Sequence, residues 1–99
     1  MSAITSKQRA HLRSLAHELS PVLQVGAGGV SQAFLTSLEE AFHNRELLKV
    51  RVVGTSDLNV KEAAGTVAEK LPEVEVVQTV GHVMVLYKPF PEEPEIELP

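Results

Sequence analysis

The 99 residues include no cysteine and no tryptophan, and only four are aromatic: Phe34, Phe42, Tyr87 and Phe90. Without cysteine there can be no disulfide, thiolate zinc site or iron–sulfur cluster. Few aromatics make base stacking on an aromatic platform an unpromising mode of recognition. No apolar run approaches the ~20 residues of a membrane-spanning helix, so no membrane partner is expected. The opening MSAITSKQRAHLRSL lacks the apolar core of a signal peptide, so the expected location is cytoplasmic. No serine or threonine stands in a recognised nucleophile motif, and the adjacent Glu39 and Glu40 point to different sides of a helix. An enzyme is therefore not expected. His11, His17, His43 and His82 lack the spacing of a closed metal site, so neither metal nor cofactor is expected.

Acid is also missing where it matters. The first 17 residues carry Lys7, Arg9 and Arg13, with His11 and His17, and no carboxylate. The net charge is -4, but four of the 13 acids (Glu92, Glu93, Glu95, Glu97) fall in the last eight residues. Without them the chain holds nine acids and nine bases, and a partner docking on one face feels the local field rather than the total.

The length fits one domain with one core. Thr5-Ser6-Lys7-Gln8 reads as a capping box. Leu12, Leu15, Ala16 and Leu19 follow at helical spacing, which predicts an amphipathic helix over about 6–19, ended by Ser20-Pro21. Arg9, Arg13 and His17, spaced by four, line its outer face. Residues 22–25 read as a short strand and 31–44 as a helix with an apolar stripe of Phe34, Leu35, Leu38, Ala41 and Phe42. Residues 47–53, with Lys49 and Arg51 alternating, read as a strand with one wet face. Gly54-Thr55-Ser56-Asp57 is a loop and 60–71 a third helix, ended by Pro72. Residues 74–80 and 83–87 form a hairpin around Gly81-His82. The order α-β-α-β-α-β-β predicts a single compact α/β domain, a mixed four-stranded sheet with packed helices. Residues 1–89 form that domain. Residues 90–99 form an acidic, proline-rich extended tail that Ile96 and Leu98 can pin down.

Gly26-Ala27-Gly28-Gly29 joins a strand to a helix, and several of its positions are expected to need positive φ or close backbone approach. Free N–H groups at such a helix start attract anions. A dinucleotide site would require glycine at position 31, where Ser31 stands, and Asp57 lies too far along to hold a ribose. A GxxG loop that clamps a nucleic-acid backbone and a plain turn both remain open on the residues alone.

The stretch LRSLAHELSPVLQVGAGGV (Leu12 to Val30) resembles the opening of the CRM-domain family, the YhbY-type proteins of chloroplast RNA splicing and ribosome maturation. ELLKVRVVG (Glu46 to Gly54) is similar to the family's second strand, and VVQTVGHVMVLYKP (Val76 to Pro89) to its closing hairpin. Ile96-Glu97-Leu98-Pro99 resembles the end of the stand-alone bacterial members. The resemblance implies a fold related to the C-terminal domain of bacterial translation initiation factor three. It also implies binding of structured ribosomal RNA and association with precursors of the large ribosomal subunit. Relatives usually carry a basic residue inside the loop and often arginine after the hairpin glycine. Here Ala27, Gly28 and His82 stand at those places, which shifts the burden to backbone amides and the first helix.

The candidate RNA-binding residues are therefore Gly26, Ala27, Gly28 and Gly29 in the loop, with Lys7, Arg9, Arg13 and His17 on the first helix. Lys49, Arg51, His82 and Lys88 join them from the strands. A monomer is the expected state. Two other readings use different features: a protein adaptor whose acidic tail meets a basic ribosomal protein or folds over the basic face, and a small nucleotide-binding protein.

Overall fold

The computed structural model describes residues 4–53 and 59–99. Its elements follow the expected order: α1 (Ser6–Ala16), β1 (Pro21–Val25), α2 (Gln32–Ala41), β2 (Leu47–Val52), α3 (Val60–Lys70), β3 (Glu75–Val80) and β4 (Val83–Tyr87). The loop read at 54–57, including Asp57, lies outside the described residues.

Side chains set where the helices begin. The capping box of α1 is present in both directions: Gln8 N donates to Thr5 Oγ1 at 3.1 Å, and Thr5 N donates to Gln8 Oε1 at 3.0 Å. Asn59 and Glu62 repeat the device at α3. Two helix ends differ from expectation. Helix α1 stops at Ala16, capped by His17, rather than continuing to residue 19. The Leu19 carbonyl is instead held by Lys49 Nζ at 2.9 Å. Consequently the apolar stripe divides: Leu12 and Ala16 are buried, whereas Leu15 and Leu19 stay about 40% exposed. Helix α2 ends at Ala41 with Phe42 as its cap, and the chain turns there through His43 N to Glu40 O and Asn44 N to Ala41 O.

The sheet order is β1-β2-β4-β3. Strands β1 and β2 pair in parallel, and β4 pairs antiparallel with both β2 and β3. Thus β1, β2 and β3 share one direction, and the last strand inserts between two earlier ones. At the hairpin, Val80 faces Val83 and only Gly81 takes positive φ, 58°. That is the demand of a II′ turn rather than I′.

Alternation along the strands builds two cores. Leu48, Val50, Val52, Met84 and Leu86 face α2 and α3, where they meet Phe34, Leu38, Ala64 and Val67. Leu47, Val85, Tyr87 and Val77 face the opposite way, under Leu12 and Ala16 of α1. Each fully buried aliphatic side chain contributes about 1.5–3 kcal/mol.

The tail is packed against the body. Ile96 and Leu98 sit on the Leu12 cluster, as their apolar character predicted. A second anchor had no sequence signal. Glu46 is 3% exposed, and its carboxylate accepts Phe90 N at 2.7 Å, Glu95 N at 2.8 Å and Ile96 N at 2.7 Å. This carboxylate also bears on Tyr87, the single tyrosine. Burial, and secondarily the charge of Glu46, push the Tyr87 phenol above its ordinary value of 10.0. The unfolded chain ionises at that ordinary value while the folded chain keeps the proton. The resulting stabilisation is present below pH ~10 and is lost as pH rises through the raised value. In an alkaline titration, phenolate absorbance of the folded protein should therefore rise at higher pH than that of the urea-unfolded chain. Phenolate appearing at the ordinary value in a still-folded protein would contradict this burial.

Candidate functional site

Because β1, β2 and β3 run together, their C-terminal ends meet at one end of the sheet. The glycine loop follows Val25 there, and Val53 N donates to Val25 O at 3.0 Å. The hairpin tip is beside them, with Val52 N donating to His82 O at 2.7 Å. The carboxyl end of the strands is where open α/β sheets usually place ligands.

The loop is a β-turn closed by Gly29 N to Gly26 O at 2.9 Å. Only Gly29 takes positive φ, 65°. The expectation that several of its glycines are required by backbone geometry needs correction. A Cβ at Gly26 or Gly28 would meet nothing within 4 Å. Those two positions present bare, open backbone for which the chain's own packing has no need. Helix α2 starts directly after the loop. Ser31 Oγ accepts Phe34 N at 3.1 Å, and the first two helical amides, of Gln32 and Ala33, have no intrahelical partner. The first turn holds no acid, so the positive end of the helix dipole is uncompensated.

Helix α1 crosses the other face of the sheet and leaves the part nearest the loop uncovered. Beside it lies a recess of about 250 Å³. Arg13, Ala16 and His17 form its α1 wall, Lys49 and Pro21 its strand wall, and Val80, Val83 and Val85 its floor, with Gln78 at the edge. No carboxylate lines it. Arg51 is exposed on the same face, opposite Val83 on one side and Gln24 on the other. An antiparallel pair such as Arg51 and Val83 has its Cβ atoms about 4.5–5.5 Å apart. From Pro21 to Gly26 is about 16 Å along β1. Arg13, Lys49 and Arg51, with His17 beside them, thus form a cationic track leading to the glycine turn, with the exposed His82 at the same end of the sheet.

Three predicted residues lie elsewhere. Arg9 belongs to the same helix stripe, but its Nη1 donates to Val76 O at 2.8 Å and Val77 O at 2.5 Å, and its Nη2 lies 3.5 Å from Glu75. It fastens α1 to the irregular stretch of β3, where the register shifts. Lys7 is exposed in the first turn of α1, about 15 Å along the helix from His17. Lys88 pairs with Glu73 at 3.9 Å beside Phe42 and Phe90, at the opposite end of the sheet from the loop. Lys49 was read as one of two residues on a wet face, yet it is half-buried and spends one donor on Leu19 O. The floor valines and Gln78 were missed as site residues. Their signal was the alternation across the hairpin, which cannot say which face a helix leaves open.

The tail does not enter this recess. Gln8 Nε2 donates to Pro99 O at 3.2 Å, and Leu15 and Leu19 share a second depression with Phe90, Glu95 and Ile96. Those residues lie on the flank of α1 turned away from Arg13 and His17. Among the described residues, no group of three or more histidine, aspartate or glutamate side chains is placed to hold a metal, and no helix is long and apolar enough to cross a membrane.

The family model described as the CRS1 / YhbY (CRM) domain matches residues 4–88. A Haemophilus influenzae protein named RNA-binding protein is 37% identical over 99 residues, covering 100% of this chain and 98% of its own. The probable RNA-binding protein YqeI of Bacillus subtilis is 43% identical over 99 residues, covering 97% and 99%. The solution structure of the Staphylococcus aureus protein SAV1595 superposes with a TM-score of 0.75 at 38% identity, covering 97% of this chain and 99% of that one.

Proposed function

The chain belongs to the CRS1 / YhbY (CRM) domain family, and from that membership we propose that it is a non-enzymatic RNA-binding protein acting on ribosomal RNA within large-subunit precursors. The observation that carries the reading is the acid-free track of Arg13, His17, Lys49 and Arg51 running to the open backbone of Gly26 and Gly28. Cations supply the sequence-independent affinity of nucleic-acid binding. Bare glycine backbone and unpaired helix amides accept a phosphate at close range. The family resemblance supplies the ribosomal context, and the relatives' names support RNA as the ligand.

A salt titration tests this. If three or four phosphates are neutralised, affinity for a single-stranded ribosomal RNA fragment should fall about 20- to 50-fold between about 50 and about 200 mM salt. A flat titration would remove the electrostatic basis of the reading. Competition between large-subunit RNA and an unrelated RNA of equal length should favour the former, and equal competition would defeat the ribosomal assignment.

A further inference from the structure

The walls of the α1 recess are cationic and its floor is aliphatic. Phosphate gains nothing from valine, so a track built only for the RNA backbone has no use for such a floor. Val80 is nevertheless 56% exposed, on the same face as Arg51 and next to the half-buried Val83. Gln78 at the edge can both donate and accept, whereas phosphate oxygens only accept. At about 250 Å³ the recess is near the lower limit of small-ligand clefts. That suits one planar ring system better than a folded peptide segment. One side is closed by α1, which holds Arg13 and His17 over the floor.

We propose that this recess is a nucleobase-binding site: one unstacked base of a single-stranded RNA segment lies flat on Val80 and Val83 against the α1 wall. Its polar edge meets Gln78, while Arg13 and Lys49 hold the flanking phosphates. This rests on the RNA-binding reading and narrows its substrate class. A base within a duplex cannot enter, because its faces are covered by its neighbours and α1 blocks the approach of a second strand. The site therefore selects loops, bulges or ends, where bases can be splayed out. Apolar contact with either face of the base, rather than a donor–acceptor code, makes the preference tolerant of sequence.

The test uses the full chain and fluorescence anisotropy with labelled oligouridylate, a stable abasic analogue of the same ribose-phosphate length, and an A-form duplex. The intact single strand should bind at least about fivefold more tightly than the abasic chain and the duplex. Val80→Ala should bring the intact-to-abasic ratio toward one while leaving the salt dependence unchanged, and Val80 is exposed enough for the variant to fold. Gln78→Ala provides a second, independently folding variant with the same expectation. If all three probes bind alike, or if neither variant changes the ratio, the base site is wrong while RNA binding stands. If none of the three binds at low salt, the RNA-binding reading itself falls.

Discussion

Glu46→Ala should lower the melting temperature by roughly 10–20 °C and free the last ten residues for proteolysis. The wild-type carboxylate is buried and accepts three backbone amides, from Phe90, Glu95 and Ile96. Hydrogen bonds to a charged acceptor are worth about 1.5–3 kcal/mol each, and an amide left buried without a partner costs about 1–3 kcal/mol. Water reaches the freed tail and recovers part of that, so a net loss of about 2–3 kcal/mol is expected. For a chain of this length each kcal/mol moves the midpoint by about 4–8 °C. Glu46→Gln distinguishes hydrogen bonding from simple space filling. It keeps the shape but turns a donor toward one of the tail amides, so it should recover little of the loss. A melting temperature within a few degrees of wild type, with the tail still protected, would show that Ile96 and Leu98 suffice as anchors.

The second large effect concerns RNA rather than stability. Arg13→Glu with Arg51→Glu should weaken binding to single-stranded ribosomal RNA about 30- to 100-fold at low salt. Two solvent-exposed phosphate contacts, at about 1–1.35 kcal/mol each, account for that factor, and the salt slope should fall by about 1.4. Both side chains are exposed, and neither forms an ion pair among the described residues. Stability should therefore change by no more than about 0.5 kcal/mol. Arg9→Ala is the informative contrast. It removes the bonds to Val76 O and Val77 O and the contact with Glu75, so it should destabilise the protein while changing the salt slope little. Unchanged affinity in the double variant would move the RNA off this face.

Much of the fold could be read locally because its signals are local. The Thr5 and Gln8 side chains lie one turn apart and cap α1. Leu48, Val50 and Val52 alternate with Lys49 and Arg51, which assigned one face of β2 to the core and left the other polar. Gly81 marked the hairpin. What escaped was set by partners far along the chain. Arg9 looked like its stripe-mates Arg13 and His17, and its capture by carbonyls 67 and 68 residues away has no local pattern. Glu46 stood as a lone acid before a strand, and the amides that use it lie 44 to 50 residues later. Leu15 and Leu19 fit the helical period as well as Leu12 and Ala16 did, but the helix ended before Leu19 and the sheet contacts only the narrower face. The recess was illegible for the same reason. It exists because α1 covers one part of a sheet face and not the other, and no residue spacing reports how far a helix reaches across strands.

Strand β4 is the last to leave the ribosome during synthesis, yet it occupies an interior position between β2 and β3. Until it is made, β1–β2 and β3 are separate pieces with no direct ladder between them, and the apolar sides of both helical layers lack their shared support. The two pieces can therefore join only through β4, although all three helices precede it in the chain. Disrupting β4 should therefore cost the whole sheet rather than one edge of it.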